Sequence, residues 1–441
     1  MTAREAPRTA SIVPHDESVP FEVPLGVVRG LSARRSEPDW MLGLRLRGSE
    51  VLRSEGLPPW ASFLRGVDFD GIASNEPSAP ESHEGPGGGS RSPGLLSLDA
   101  SEEAYRSLRA DLRDLGVRFD GLPRALALYP DLVRAHFGSA VSPDGNPLAA
   151  LNAALWSDGS FLYVPPGVAV SVPLQAEIRE DYAGVEPFER NVVIADRGSE
   201  VTYIEGCTAP VYTPDRLHVS AIEVVALPAA RVRYIALQNF SKEVDNLVTK
   251  RALVHEGASV EWIEINLGAR RSWKVPRADL LGPGASAEFV GFTLSGRGQL
   301  AEIGAEMVHL APRTRSRIGN HAIVHGGGGA VLDSRVQVAA GATEAASSIE
   351  WSSLMLDSAS RAQAVPAIEV DESDAQISQS GAVRKVGEEM LFYMSSRGVS
   401  AEEAIRMVVL GTAGVAAGRI PVEYAVEVDR LIEWELGGGV G

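Results

Sequence analysis

The sequence predicts a mainly β protein, a parallel β-solenoid with helical regions at both ends, and three observations carry that expectation. From residue 155 to 385 the chain is a succession of short β-type runs separated by Gly, Ala, Pro and Asp, with no helix-length pattern between them. A unit recurs there: GSEVTYIEG from Gly198, ARVRYIALQ from Ala230, GASVEWIEI from Gly257 and GASAEFVGF from Gly284. TRSRIGNHA at Thr314 and SDAQISQSG at Ser373 fit more loosely. The aromatic of each clear unit falls at Tyr203, Tyr234, Trp262 and Phe289, at spacings of 31, 28 and 27 residues. A strand–turn–strand unit of that length, repeated without helices, buries its face only by stacking on its neighbours. Small residues at the corners permit close stacking. A β-sandwich would also give many short strands, but regular aromatic recurrence favours the solenoid.

The flanking elements follow in order. Residues 1–24 are polar and Pro-containing and read as a mobile arm. Residues 25–73 form an N-terminal helical region, in which Trp40, Met41, Leu44, Leu46, Val51 and Leu52 recur at helical spacing. Residues 74–95 read as a flexible linker, because Asn75 to Pro93 lacks a single large apolar side chain. Residues 96–154 read as helical again. SEEAYRSLRADLRDLG has Ser101 as N-cap and stops at Gly116, and RALALYPDLVRAHFG breaks at Pro130. Residues 386–441 close the chain with three helical stretches; Ser400 and Glu403 form a capping box, and Pro421 opens the last stretch.

Composition narrows the function. The 441 residues carry 41 Lys plus Arg against 58 Asp plus Glu, a net charge of −17, which argues against a general nucleic-acid or anionic-membrane binder. Hydrophobic residues at 44% are enough for a large core. The single cysteine, Cys207, rules out an intramolecular disulfide and any Cys-rich zinc or iron–sulfur motif within one chain. No apolar leader and no membrane-length apolar run occurs, so the cytosol is the expected compartment. Gly326–Gly329 is not followed by Lys-Ser/Thr, and no nucleotide-binding motif or nucleophile elbow is present. His321 and His325 share a spacing of four, but in a strand that places them about 13 Å apart, and they read as ordinary surface histidines. His309 reads as a structural histidine.

Several ordered strings then carry a resemblance. SEPDWMLGLRL from Ser36, FGSAV from Phe137, LAALNAALWSDGSFLYVPPGV from Leu148 and FERNVVIAD from Phe188 come first. YIEGCTAP from Tyr203, QNF at Gln238, NLVTKRAL from Asn246, SWKVP from Ser272, GEEMLFYMSSRGVS from Gly387 and a closing WELGGGVG follow. Together they resemble the SufB/SufD family of SUF iron–sulfur cluster assembly scaffolds, closest to SufB. The resemblance covers about residues 25–70 and 115–441. It implies a right-handed parallel β-helix and a SufC-type ABC ATPase docked on the C-terminal helices, supplying the ATP hydrolysis that this chain lacks motifs for. It also implies a homodimer or a SufB/SufD-like heterodimer, a cysteine desulfurase-type sulfur donor, and a transient iron–sulfur cluster as cargo.

Carried over by position, Cys207 matches the family's sulfur acceptor, and Arg179, Gln238 and Lys250 match residues lining a sulfur path. Asp181 and Phe240 stand where the family usually has Asn and Trp. The repeat register adds its own support. Cys207 lies four residues after Tyr203, and Gln238 four after Tyr234, so both fall in one column of adjacent coils. A cationic neighbour such as Lys250 or Arg179 would lower a thiol's pKa. The departures lie at the far end. Trp351 replaces the family's second cysteine, Gln379 and Ser380 replace a His-Glu pair near the cluster, and Pro166 replaces a lysine. None of Trp351, Gln379 and Ser380 ligates iron as thiolate, imidazole or carboxylate does. The sequence therefore reads as a divergent scaffold. A repurposed component of an ATP-dependent enzyme complex is the alternative, and a structural partner in the SufD-like place is a third reading.

Overall fold

The computed structural model describes residues 18–58, 61, 64, 95–97, 110–179, 188–209 and 216–436. At its centre is a parallel β-solenoid of about seven turns, with helices at both ends. Strands β3 (Ser160–Val164) to β19 (Gln376–Lys385) pass back and forth between two sheets as the chain winds, β7 spanning Arg216–Ala226, β14 Leu300–His309 and β16 Gly329–Val338. One sheet runs β1-β4-β6-β8-β10-β13-β15-β17-β19 and the other β18-β16-β14-β11-β9-β7-β5-β3-β2, with the short β12 (Arg277–Leu280) following β11 between β9 and β14 in the second sheet. Among the described residues every strand pairing is parallel except that of β2 (Arg118–Gly121) with β3, which closes the N-terminal end of the second sheet. Parallel pairing without helical crossovers decides against the sandwich, whose sheets are built antiparallel.

The recurrent aromatics form one column. Tyr203 on β6 (Glu200–Ala209) is in register with Tyr234 on β8 (Arg231–Phe240), then with Trp262 on β10 (Ser259–Gly268) and Phe289 on β13 (Ser286–Ser295). All four are fully buried, and Tyr203–Tyr234 and Tyr234–Trp262 ring centroids lie 4.9 and 5.1 Å apart. The column continues through Ile318 on β15 (Arg315–Val324) and Gln379 on β19, in the two loosely fitting units. Between them lies a coil not evident in the sequence repeat, β17 (Ala346–Met355), with Ile349 in the aromatic's place. The turns before β6, β10 and β13 put Gly198, Gly257 and Gly284 at φ of 67°, 63° and 72°, the left-handed region that a Cβ disfavours. Before β8 the same turn is made by Ala229 at φ 62°.

Helices α1 (Leu25–Arg34) and α2 (Asp39–Glu55) lie at the N-terminal end. α3 (Ala110–Asp114), α4 (Leu122–Leu128), α5 (Pro130–His136) and α6 (Pro147–Leu155) follow, with the sequence-predicted break falling at Tyr129. The 96–154 region is not purely helical, since it also contributes β2 and most of β1 (Leu95–Ser97), each added to a sheet end. The Ser101 cap and most of the 74–95 linker lie outside the described residues. α2 crosses α6 so closely that a Cβ at Gly48 would sit 2.4 Å from the Ala150 carbonyl oxygen. Both helices cover the outer face of the second sheet, burying Phe188, Val219 and Leu247 beneath Leu148, Leu151 and Leu155.

At the other end, α7 (Glu388–Ser396), α8 (Ala401–Ala417) and α9 (Val422–Leu436) fold back on the first sheet's outer face. Val409, Ala413 and Ile432 pack there on Ile204, Ile235, Ile263 and Val290. Ser400 caps α8 by accepting from Glu403 N, but Glu403 turns its carboxylate to Arg406, so only half of the capping box forms. Arg419, just past α8, reaches Glu261 and Glu288 at 3.0 Å each and fastens the helices to the sheet. No helix among the described residues is long and apolar enough to cross a membrane.

Candidate functional site

Side chains alternate along a strand, so each coil sends every second residue inward. In the early coils that inward set is polar. On β6, Glu205 follows Tyr203 by two. On β9 (Val244–Val254) the inward set includes Asn246 and Lys250, on β10 Glu264 and Asn266, and on β11 (Arg271–Lys274) Ser272 and Lys274. Lys250 Nζ donates to Glu205 Oε2 at 3.0 Å and to Glu264 Oε1 at 2.9 Å. Lys274 Nζ donates to Glu264 Oε2 and to Asn266 Oδ1, both at 2.9 Å. Asn191 on β5 (Phe188–Ala195) extends the network by donating to Glu205 Oε1 at 3.1 Å. Asn246 donates to Gln238 Oε1 at 2.6 Å. The Lys250 ammonium also lies 4.7 Å from the Tyr234 ring centroid, a cation–π contact.

These charges are stable inside only because they are matched. Burial alone would push the Glu205 carboxyl up, but Lys250, then Lys274, hold it below its ordinary value. Burial likewise opposes the Lys250 ammonium, yet Glu205 and Glu264 raise its pKa above the usual range. A cavity of about 10 Å³, counted as the space open to a water's centre, lies among His218, Ser220, Gln238, Asn246, Lys250 and Lys274. That is room for about one water. Ser220 Oγ and Asn246 Oδ1 have no protein partner and face burial unsatisfied, which a single small polar guest would relieve.

Of the residues singled out by sequence, Gln238 and Lys250 are 3% and 2% exposed, so Lys250 is an interior group and not a surface charge. Cys207 is in register with Gln238, two positions after Glu205 on β6. Arg179 ends β4 (Leu174–Arg179) opposite Thr208, beside the Ile178–Cys207 pair. Asp181 lies outside the described residues, and Phe240 is buried against His218 with ring centroids 5.1 Å apart. Lys250 is paired with two carboxylates, Glu205 at 3.0 Å and Glu264 at 2.9 Å. Sequence reasoning missed Glu205, Glu264, Lys274 and Asn266. The repeat contained the signal, since Glu205 and Glu264 each follow the column aromatic by two.

The far coils differ. Trp351 is half-buried on β17, and Gln379 and Ser380 are exposed on β19. Among the described residues no cluster of three His, Cys, Asp or Glu side chains could hold a metal ion. Pro166 is exposed in the turn after β3. His321 is not a surface histidine: it is 7% exposed, with Nδ1 2.8 Å from Ser352 Oγ. His309 is fully buried between Thr314 and Ser316 hydroxyls at 2.8 Å, and burial lowers its pKa to about 4, so it is a neutral structural group.

Comparison with known proteins agrees with this architecture. Residues 179–412 match the family described as SUF system FeS cluster assembly, SufBD core domain, and residues 102–176 match the SufBD protein N-terminal region. Iron-sulfur cluster assembly SufBD family proteins of Staphylococcus haemolyticus and Staphylococcus epidermidis are each 37% identical over 450 residues, covering 97% of both chains. A Staphylococcus aureus protein of the same description is 37% identical over 433 residues, 94% of this chain and 93% of its own. With the solenoid, its flanking helices and matches spanning nearly its whole length, the chain belongs to the SufBD family of iron–sulfur cluster assembly proteins.

Proposed function

We propose that this chain is the sulfur-handling scaffold of a SUF assembly complex, with Cys207 as the acceptor. The observation that carries the reading is the register of Cys207 with Gln238, next to the enclosed Lys250–Glu264–Lys274 network. In the loading step the Cys207 thiolate attacks the terminal sulfur of a donor persulfide. A new S–S bond forms on Cys207, the donor's S–S bond breaks, and the donor leaves as its thiolate. The donor is of the cysteine desulfurase type. Gln238 and Lys250, with Arg179, line the route along which the added sulfur is held.

The ATP-hydrolysing partner is a SufC-type ABC ATPase on the C-terminal helices. Phe392 on α7 is 77% exposed, and Val422 and Val426 on α9 are 75% and 65% exposed, an apolar set that a monomer has no reason to show water. A second solenoid covers the last coil, where β18 (Arg361–Val370) and β19 end the two sheets with open edges and exposed Ile368, Val370 and Val383. Trp351, Gln379 and Ser380 supply no iron ligands there, so a cluster built at that junction takes its ligands from the partner. A ligand-bearing relative therefore suits the site better than a second copy. The cluster is cargo and is held only transiently.

The test is anaerobic loading with a cysteine desulfurase and cysteine, comparing the intact chain with Cys207→Ala. A persulfide on the Cys207 peptide, absent in the variant, is the expected result. No sulfur on Cys207 under conditions that load the desulfurase would sink the reading.

A further inference from the structure

The outer face of the first sheet carries a charged array of its own. On β8, Val232 and Tyr234 turn into the core, so Arg231 and Arg233 face outward. The ladder extends these two positions into rows. One row runs Glu200, Arg231, Ser259, Ser286 and Arg315, and the other Thr202, Arg233, Glu261, Glu288 and Arg317. Together they line an open trough of about 490 Å³, counted as the space open to a water's centre. A chain of net charge −17 thus sets four arginines against three carboxylates along one short stretch of surface.

The two rows are matched unequally. In the second row, Arg233 Nε donates to Glu261 Oε2 at 2.6 Å, and Arg419 reaches Glu261 and Glu288 at 3.0 Å each. Arg317 lies 3.9 Å from Glu288 and 3.7 Å from Glu350 on β17. That row is answered within the molecule. In the first row, Arg231 and Arg315 are exposed and make no ion pair among the described residues, although Glu200 is the neighbour of Arg231 on β6. The Ser259 and Ser286 hydroxyls between them make no hydrogen bond among the described residues either.

Arg231 and Arg315 stand three strand spacings apart, about 14 Å. An extended chain advances about 3.3 Å per residue, so side chains four residues apart span about 13 Å and leave the same face. Carboxylates two apart reach half that distance, and carboxylates three apart point to opposite faces. A nucleic acid fits less well, because a phosphate at every nucleotide would set negative charge over Glu261 and Glu288. We propose that this trough binds an extended acidic segment of a partner protein, two carboxylates four residues apart being held by Arg231 and Arg315. Ser259 and Ser286 offer their hydroxyls to the main chain between those carboxylates. The site lies outside the solenoid and does not depend on the sulfur-acceptor reading. Exposed ion pairs are individually weak and screened by salt, so binding needs both arginines and is tightest at low ionic strength.

The probe is a fluorescein-labelled, end-capped peptide of serine and alanine carrying two glutamates four residues apart. It is titrated with the full-length protein at low ionic strength and followed by fluorescence anisotropy. The expected result is saturable binding that weakens at least fivefold in the double variant Arg231→Gln with Arg315→Gln. Both side chains are exposed and unpaired, so the variant keeps its fold, which its thermal midpoint checks. On the peptide side, glutamine in place of both glutamates should abolish binding, and glutamates moved to two residues apart should weaken it at least threefold. Equal affinity for the intact protein and the double variant would overturn the proposal, as would indifference to glutamate spacing or no saturable binding. A single-stranded oligothymidylate that displaces the peptide and binds more tightly through the same arginines would overturn it too, in favour of a nucleic acid.

Discussion

Lys250 shows how a single side chain holds the interior together. Its ammonium is shared by Glu205 and Glu264, and all three are at most 3% exposed. Lys250→Met should therefore destabilise the fold by about 3–5 kcal/mol, since two buried carboxylates lose a counter-ion, whereas the pair's own net worth is smaller. Chemical denaturation of the two proteins checks this. The sign with pH follows from the shifts. The Glu205 pKa lies below its unfolded value, so its contribution is present above the ordinary carboxylate range and is lost as pH falls through the folded value. The Lys250 pKa lies above its unfolded value, so its contribution is complete below the ordinary lysine range and is lost as pH rises through the folded value. Stability of the intact chain should accordingly form a plateau across neutral pH with an acid limb, and Lys250→Met should shrink that limb. Cys207 and Gln238 were legible in the sequence because the repeat gave them a shared register. The partners of Lys250 were not, because a buried ion pair depends on which strands stack, and the nearest of its carboxylates is 14 residues away.

Each coil is an element that repeats a turn, and the turns differ in strain. Gly198, Gly257 and Gly284 take a left-handed φ without a Cβ, while Ala229 takes the same conformation with one. A left-handed φ costs an alanine about 1 kcal/mol, partly offset by the extra unfolded-state entropy of glycine. Ala229→Gly is expected to be neutral to stabilising by up to about 1 kcal/mol, read as a rise in thermal midpoint, and a clear loss would show that the turn is not strained. β17 keeps the coil without the repeat's aromatic. Ile349 replaces the aromatic and Trp351 appears two positions later, so the pattern shifted by one inward position while the backbone register did not. Register in a parallel stack is set by the backbone ladder and the apolar inward face, and neither demands an aromatic.

For the whole molecule, the two ends are unlike. β2 ends the second sheet at the N-terminal side, whereas among the described residues β18 and β19 end the two sheets without a further strand and α7 to α9 present exposed apolar side chains. If the proposed SufC-type ATPase docks there, Phe392→Asp together with Val426→Asp should leave the thermal midpoint within about 2 °C, as surface changes do, yet weaken its binding at least tenfold. Titration calorimetry with the ATPase measures it, and unchanged affinity would move the docking surface elsewhere. Periodicity and turn chemistry were enough to establish the β-solenoid, the helical ends and the break before Pro130, because those follow from which residues recur along one chain. The carboxylate partners of Lys250 and the burial of His321 came only with the three-dimensional stack. There, residues about 28 positions apart become neighbours, and whether a side chain is a paired charge or a packed core group depends on what the adjoining coils place beside it.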